Sequence, residues 1–325
     1  MFFSKLTYSQ SADTIFYFTG KGTRVSKPDY ATYYRIIKPP THAEKLYDVQ
    51  EYYKSGQLKR AGKSIPDLAG LKQGKVLWQG LYMSYYPNGN KERVANFENN
   101  EPIGDVVQYY PNGKVYSNTR YKHGDLKELL TCYDTLGNVT TQNGNGRWLF
   151  YYEGLRKLKL DGPVENGLEE GLWHGRIIDT VNITSVKRFE YVFDKGKVLS
   201  AKGYDSTGLA RDFVKELQLA KYNGDLYGFI DKIKRHLGAG LDYEQLIACF
   251  TVEKDGTLSN IKVAGINDAQ LDKSLAKILY HGNNWIAGKY LGFDMRYRVY
   301  LPLSSNMPQV LVSAVEYDED LLSEL

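Results

Sequence analysis

Tyr85-Tyr86-Pro87-Asn88-Gly89 recurs 24 residues later as Tyr109-Tyr110-Pro111-Asn112-Gly113, and this pair decides how the first two-thirds of the chain reads. A worn copy, Tyr133-Asp134-Thr135-Leu136-Gly137, follows after another 24 residues, and Tyr52-Tyr53-Lys54-Ser55-Gly56 precedes them with the same shape. Gly80, Gly104 and Gly146 each stand five residues ahead of a tyrosine pair. Gly146-Arg147-Trp148 and Gly171-Leu172-Trp173 repeat at a spacing of 25. Final traces lie at residues 191–196 and 204–208.

The physics of the unit is direct. Leu81-Tyr82-Met83-Ser84-Tyr85-Tyr86 is aromatic-rich and favours an extended strand, because large rings cover neighbouring strands on a half-buried face. Pro-Asn-Gly then turns the chain, glycine taking the positive φ that other residues resist. Lys114-Val115-Tyr116-Ser117 reads as a return strand. One hairpin cannot bury its aromatic face alone. Stacked hairpins can, as a long meandering sheet or a β-solenoid-like array.

These units resemble the MORN-like repeats of a bacterial antitoxin family, in which Gly-x-aromatic and Tyr-Tyr-x-Asn-Gly-Lys elements recur at about this period. The likeness covers residues 52–208 and implies a scaffold rather than an activity. Glu128 stands where the repeat glycine belongs, so the third unit is expected to be distorted. Upstream, residues 14–18, 23–26 and 31–37 read as further strands, divided by Gly20-Lys21-Gly22 and closed by Pro39-Pro40, which extend or cap the sheet.

After Gly208 the periodicity changes. Leu226, Phe229, Ile230, Ile233 and Leu237 share one face of an α-helix, with Asp225 placed to cap its start and Gly238 its end. Residues 246–252 read as a strand, Asp255-Gly256 as a hairpin turn and 257–263 as the return strand. A second helix carries Leu271, Leu275, Ile278 and Leu279 on one face behind an Asn267/Gln270 capping box. The last strand spans 295–303, with Met295, Tyr297, Val299, Leu301 and Leu303 inward and Arg296, Arg298 and Tyr300 outward.

That order resembles the C-terminal domain of TonB-type energy transducers over residues 216–304. Phe250-Thr251-Val252-Glu253-Lys254-Asp255-Gly256, Trp285-Ile286-Ala287-Gly288 and Tyr300-Leu301-Pro302-Leu303 carry the likeness, and Lys221-Tyr222-Asn223-Gly224-Asp225 looks like the entry segment of Bacteroidota versions. Ala287 departs from the usual proline, and Ser304 or Ser305 stands where an aromatic is usual. The membrane helix and Pro-rich linker of that family do not occur in these 325 residues, so force transmission is not expected of them. The resemblance implies that the last strand is a sheet edge that a partner's extended segment joins. Arg296, Tyr297, Arg298, Val299, Tyr300 and Leu301 form that candidate edge, its arginines facing an acidic or carboxylate-bearing peptide. The competing role of those arginines is to keep the edge soluble.

Composition agrees with a β-rich chain: 28 Tyr, 12 Phe and 4 Trp accompany 31 Gly. No apolar run approaches the roughly 18–20 residues that span a bilayer. Net charge is +4, and residues 304–325 hold five acids and no base, leaving +9 spread over the rest without a basic stripe. No nucleic-acid partner is therefore expected. The first 13 residues lack the basic start and apolar centre of a secretory signal, yet look like the tail of one; a trimmed leader and an ordinary terminus both fit.

Catalytic signatures are missing from the pattern. His42, His123, His174, His236 and His281 are dispersed, and Cys132 and Cys249 sit among apolar neighbours as two small buried thiols. Gly70-Leu71-Lys72-Gln73-Gly74-Lys75 has three residues between glycines where a phosphate loop needs four. Glu165, Glu169 and Glu170 read as a solvated acidic patch, and Trp285 as a core anchor.

The expected architecture is mostly β with α+β. A capping β segment spans 1–50, β-hairpin repeats 51–208, a TonB-like α+β domain 209–305 and an acidic tail 306–325. The expected function is a non-enzymatic envelope or periplasmic protein that binds a protein or peptide, such as an outer-membrane receptor segment, with no cofactor and no metal. The alternative is a cytoplasmic antitoxin or immunity-like protein whose repeats hold a partner.

Overall fold

Each tyrosine-rich run extends as a strand, and the motif after it turns the chain by one repeated geometry. The Tyr86 N–H donates to the Asn90 carbonyl (2.8 Å) and the Gly89 N–H to the Tyr86 carbonyl (2.9 Å). The same two bonds link Tyr53, Gly56 and Gln57, then Tyr110, Gly113 and Lys114, then Asp134, Gly137 and Asn138. Glycine is required at the fourth position, where φ is 86° at Gly89 and 85° at Gly113. The pairing slips by one residue beside each turn, between Ser84 and Tyr85 and between Gln108 and Tyr109, as a type I turn with a glycine bulge demands.

The computed structural model describes residues 14–41, 45–152, 155, 157–177, 186–266, 268–281, 284–304 and 310–314. The chain divides into two compact units, Met1–Trp173 with Phe193–Lys197, and His174–Val192 with Val198–Leu325. The fold is mostly β and contains a large antiparallel sheet.

In the first unit β1 (Thr14–Phe18) pairs with β2 (Arg24–Val25) and β3 (Tyr33–Lys38). From β3 the chain meanders through β4 (Tyr47–Tyr53), β5 (Leu58–Ser64), β6 (Trp78–Tyr85) and β7 (Lys91–Glu98), each strand pairing with the next. It continues through β8 (Glu101–Tyr109), β9 (Val115–Lys122) and β10 (Asp125–Tyr133). One short helix, α1 (Leu68–Lys72), interrupts between β5 and β6, capped by the Asp67 carboxylate on the Gly70 N–H.

The two ends of the meander use different turns. Opposite the Pro-Asn-Gly end, two-residue turns reverse the chain with both residues at positive φ, as at Asn99-Asn100 (50° and 68°) and Asn143-Gly144 (50° and 75°). The repeats therefore form one continuous meander rather than separate stacked hairpins.

The distortion expected at Glu128 is present. β9 and β10 slip register twice, at Leu126/Glu128 and Leu129/Thr131. There β10 stays paired with β9 but also bonds elsewhere: the Leu129 N–H donates to the Gly167 carbonyl and the Leu130 carbonyl accepts from the Gly144 N–H, both at 2.8 Å. Beyond it run β11 (Val139–Gln142), β12 (Asn145–Tyr151), β13 (Leu158–Glu165) and β14 (Leu168–Glu169). β15 (Gly171–Arg176), β16 (Val186–Asp194), β17 (Lys197–Asp205) and β18 (Ala210–Asp212) follow.

The second unit holds a separate α+β core. After β19 (Leu217–Gln218) and β20 (Lys221–Tyr222) comes α2 (Leu226–Leu237), which buries Phe229, Ile230 and Ile233. Asp225 occupies its N-cap position without a side-chain hydrogen bond, and Gly238 ends it at φ 98°. β21 (Ile247–Val252) and β22 (Leu258–Ala264) form the expected hairpin. α3 (Ala269–His281) follows. Asn267 lies outside the described residues; the Asp268 carboxylate accepts from the Gln270 and Leu271 N–H groups instead (2.8 and 3.3 Å).

Next come β23 (Trp285–Ile286), β24 (Gly288–Tyr290) and β25 (Phe293–Met295), paired with β20, β19 and β24 respectively. β26 (Tyr297–Pro302) lies against β21, and β27 (Leu311–Ala314) lies against β26. Two sequence expectations are corrected here. The strand expected over 295–303 is two strands, β25 and β26, and the segment assigned to an acidic tail contributes β27.

Candidate functional site

The candidate edge built from Arg296 to Leu301 is not an edge. β26 sits between β21 and β27, with Phe250↔Val299 on one flank and Val299↔Val312 on the other. Val310-Leu311-Val312 supplies an apolar run after Pro308 within a segment whose overall composition is dominated by its five acids. Tyr297, Val299 and Leu301 enter the core as expected and Arg296 and Arg298 do not, but Tyr300, expected outward, is buried as well. Arg296 grips Glu253 through Nε (2.7 Å) and Nη2 (3.1 Å), and the same carboxylate accepts from the Ser259 hydroxyl. The Arg296 guanidinium holds the Glu253 carboxyl below its usual range. An arginine engaged in this way is a structural clamp, not a free ligand for a peptide.

The actual edge is β27, which ends the four-stranded sheet among the described residues. Leu311 is 47% exposed, while Val310 and Val312 pack against the core. Residues 310–314, Val-Leu-Val-Ser-Ala, contain no charge and no proline, the usual guards of an exposed strand.

A second constellation lies within the first unit and comes from register alone. Arg35, Glu51, Arg60, Ser84 and Arg93 stand directly opposite one another across β3 to β7. The same row runs on through Gln108, Ser117, Cys132 and Thr141 to β11. Arg35 and Glu51 are fully buried. Glu51 Oε1 receives Arg35 Nε (2.9 Å) and Nη2 (2.6 Å), and Oε2 receives Arg60 Nε. The remaining Arg35 protons reach the Leu71 and Gly74 carbonyls (2.6 and 3.0 Å). The glycine-bearing segment that superficially suggested a phosphate loop is thus the cover over a buried arginine.

Aromatic rings wall this row. Trp78 meets Tyr82 edge-on at 4.9 Å and Tyr82 meets Phe97 at 5.3 Å, with the Arg60 and Arg93 guanidinium groups 5.7 and 5.9 Å from the Trp78 and Phe97 rings. The Lys59 ammonium lies 3.7 Å from the Tyr33 ring centre, and burial pulls its pKa down. The arrangement can receive an anion on a planar, partly apolar floor. It offers no nucleophile paired with a base.

No protein-family model matches this chain, and no curated protein does.

Other sequence candidates find ordinary places. Cys132 and Cys249 are buried free thiols whose pKa values burial raises. Trp285 is buried edge-on to Phe250 at 5.1 Å, the anchor expected of it. His174 Nδ1 lies 3.5 Å from Glu190, whose carboxylate also takes the Tyr204 hydroxyl at 2.6 Å. His42 lies outside the described residues. Of the acidic patch, Glu170 accepts from the Lys195 N–H at 2.8 Å, while burial raises the Glu169 pKa. Among the described residues no group of three or more His, Cys, Asp or Glu side chains is placed to hold a metal ion.

Proposed function

We propose that this chain is a non-enzymatic binding protein of the bacterial envelope, whose second unit captures an extended segment of a partner by lengthening the β21–β27 sheet. The observation that carries this reading is β27: a four-residue terminal strand without charge or proline, with Leu311 exposed. The order α2, β21, β22, α3 and then β26, with the short strands β23 to β25 between the last two, and Trp285 in the core, support the TonB-like reading. Docking is placed one strand further along than the Arg296–Leu301 segment, because β27 covers that flank. Backbone hydrogen bonds supply the affinity, and Leu311 supplies side-chain contact.

Titration of the full chain with a TonB-box peptide tests the proposal, read by calorimetry. Saturable binding is expected, lost when Leu311→Lys guards the edge and retained in Arg296→Ala. Absence of saturable binding to the wild-type chain overturns it, as does binding that ignores Leu311→Lys.

A further inference from the structure

Every guanidinium in the polar row has a carboxylate except one. Arg35 and Arg60 share Glu51. Arg93, two strands beyond Arg60 in the same row, faces Ser84 on one side and Gln108 on the other, neither of which carries charge. Its Nε is shut away from solvent and has no hydrogen-bond partner among the described residues. The group's recorded neighbour is the Phe97 ring at 5.9 Å.

A buried donor left without an acceptor is uncommon and calls for a reason, because it loses its bonds to water and gains none in return. Substituting a neutral side chain would remove that cost, so the fold alone gives no reason to keep an arginine here. A ligand does. The planar fork of an arginine can take a carboxylate through two parallel N–H bonds, and in this same row Arg35 already meets a carboxylate, donating Nε and Nη2 to Glu51 Oε1. Among the described residues only the Phe97 ring meets the Arg93 guanidinium, so a rotamer change that brings Nε to an arriving acceptor gains a hydrogen bond and breaks none.

We infer that Arg93 is the anchor of a carboxylate-binding site on the face of the meander walled by Tyr82 and Phe97. The ligand presents one carboxylate beside planar or apolar surface, either as a small organic acid or as an acidic side chain of a polypeptide. A carboxylate fits better than a phosphate. Arg93 supplies one unmatched positive charge, Arg60 is already committed to Glu51, and Glu92 immediately precedes Arg93 in the chain. A dianion would remain undercompensated.

Calorimetric titration of the full chain at fixed ionic strength with glutarate, a hexaglutamate peptide and inorganic phosphate tests this. Saturation by glutarate or by hexaglutamate is expected, and which of the two saturates identifies the source of the carboxylate. Arg93→Gln should weaken that binding at least tenfold and Arg93→Lys by less, since lysine keeps the charge but loses the fork. Thermal unfolding of Arg93→Gln should occur at or above the wild-type temperature, because no native hydrogen bond is lost and a buried unpaired donor is removed. The inference is overturned if neither carboxylate saturates, if phosphate binds as tightly, or if Arg93→Gln melts earlier while binding is unchanged.

Discussion

The Tyr110 hydroxyl donates to the Tyr133 carbonyl at 2.8 Å, joining one Pro-Asn-Gly unit to the next. Tyr86 does the same to Tyr109 at 2.8 Å, and Tyr53 to Tyr85 at 2.9 Å. Asn88 and Asn112 add a second link, their amides donating to the Pro111 and Thr135 carbonyls (2.8 and 3.1 Å). The second tyrosine and the asparagine of each motif therefore hold the following turn, which explains why the motif recurs as a unit. Tyr110 carries an additional load, its hydroxyl lying 3.2 Å from the Tyr151 hydroxyl. Tyr86→Phe should cost about 0.5–1.5 kcal/mol, and Tyr110→Phe about 1–3 kcal/mol because it removes two part-buried hydrogen-bond contacts. Urea unfolding checks this: the midpoints should fall in that order with the slope unchanged.

Glu51 is the only acid meeting both Arg35 and Arg60 among the described residues. Glu51→Gln leaves two guanidinium groups without a counter-charge, one of them fully buried, and should destabilise the first unit by about 3–5 kcal/mol. Arg35 also holds the Leu71 and Gly74 carbonyls, so loosening it should free the covering segment. Limited proteolysis should then cleave the Glu51→Gln variant between residues 66 and 75 at protease levels that leave the wild type intact.

The sequence is informative where chemistry is local. Pro-Asn-Gly, Asp255-Gly256 and the apolar spacing of Leu226, Phe229 and Ile233 each act within a few residues, and each yields the element it predicts. β27 is masked in the sequence because its apolar run adjoins the acids at 316–320, and a charge count weighs the segment as a whole. The two-residue turns are masked because Asn99-Asn100, His123-Gly124 and Asn143-Gly144 share positive φ rather than a common spelling. The polar row is invisible to any linear reading. Arg35, Glu51, Arg60 and Arg93 become neighbours only through register, which depends on where each bulge falls.

Two glycines separate two reasons for having one. Gly162 lies opposite Trp148 in the sheet, and an added Cβ would collide with the buried indole of Trp173. Gly56 has open space around it and needs glycine only for its φ of 87°. Gly56→Ala should thus cost about 1–2 kcal/mol from left-handed backbone strain. Gly162→Ala should cost about 1–3 kcal/mol from overpacking and should also displace Trp173. Near-ultraviolet circular dichroism discriminates the two: the tryptophan signal should change in Gly162→Ala and persist in Gly56→Ala.

The Glu253–Arg296 clamp sets a pH dependence in the second unit. Arg296 donates to Glu253 and lowers its pKa below the ordinary value of 4.5. Folding therefore favours the ionised carboxylate, and the associated stability is fully present above the unfolded pKa. It fades as pH falls through the lower, folded value. Both side chains are partly exposed, so solvent screens the pair and the effect is modest. Glu253→Gln removes the titrating group. The stability gap between wild type and Glu253→Gln, measured by denaturant unfolding, should be open at pH 7 and close progressively below about pH 4.5. A gap that widens with acid would mean that the protonated form is the one the fold prefers, and that Arg296 does not set the charge of Glu253.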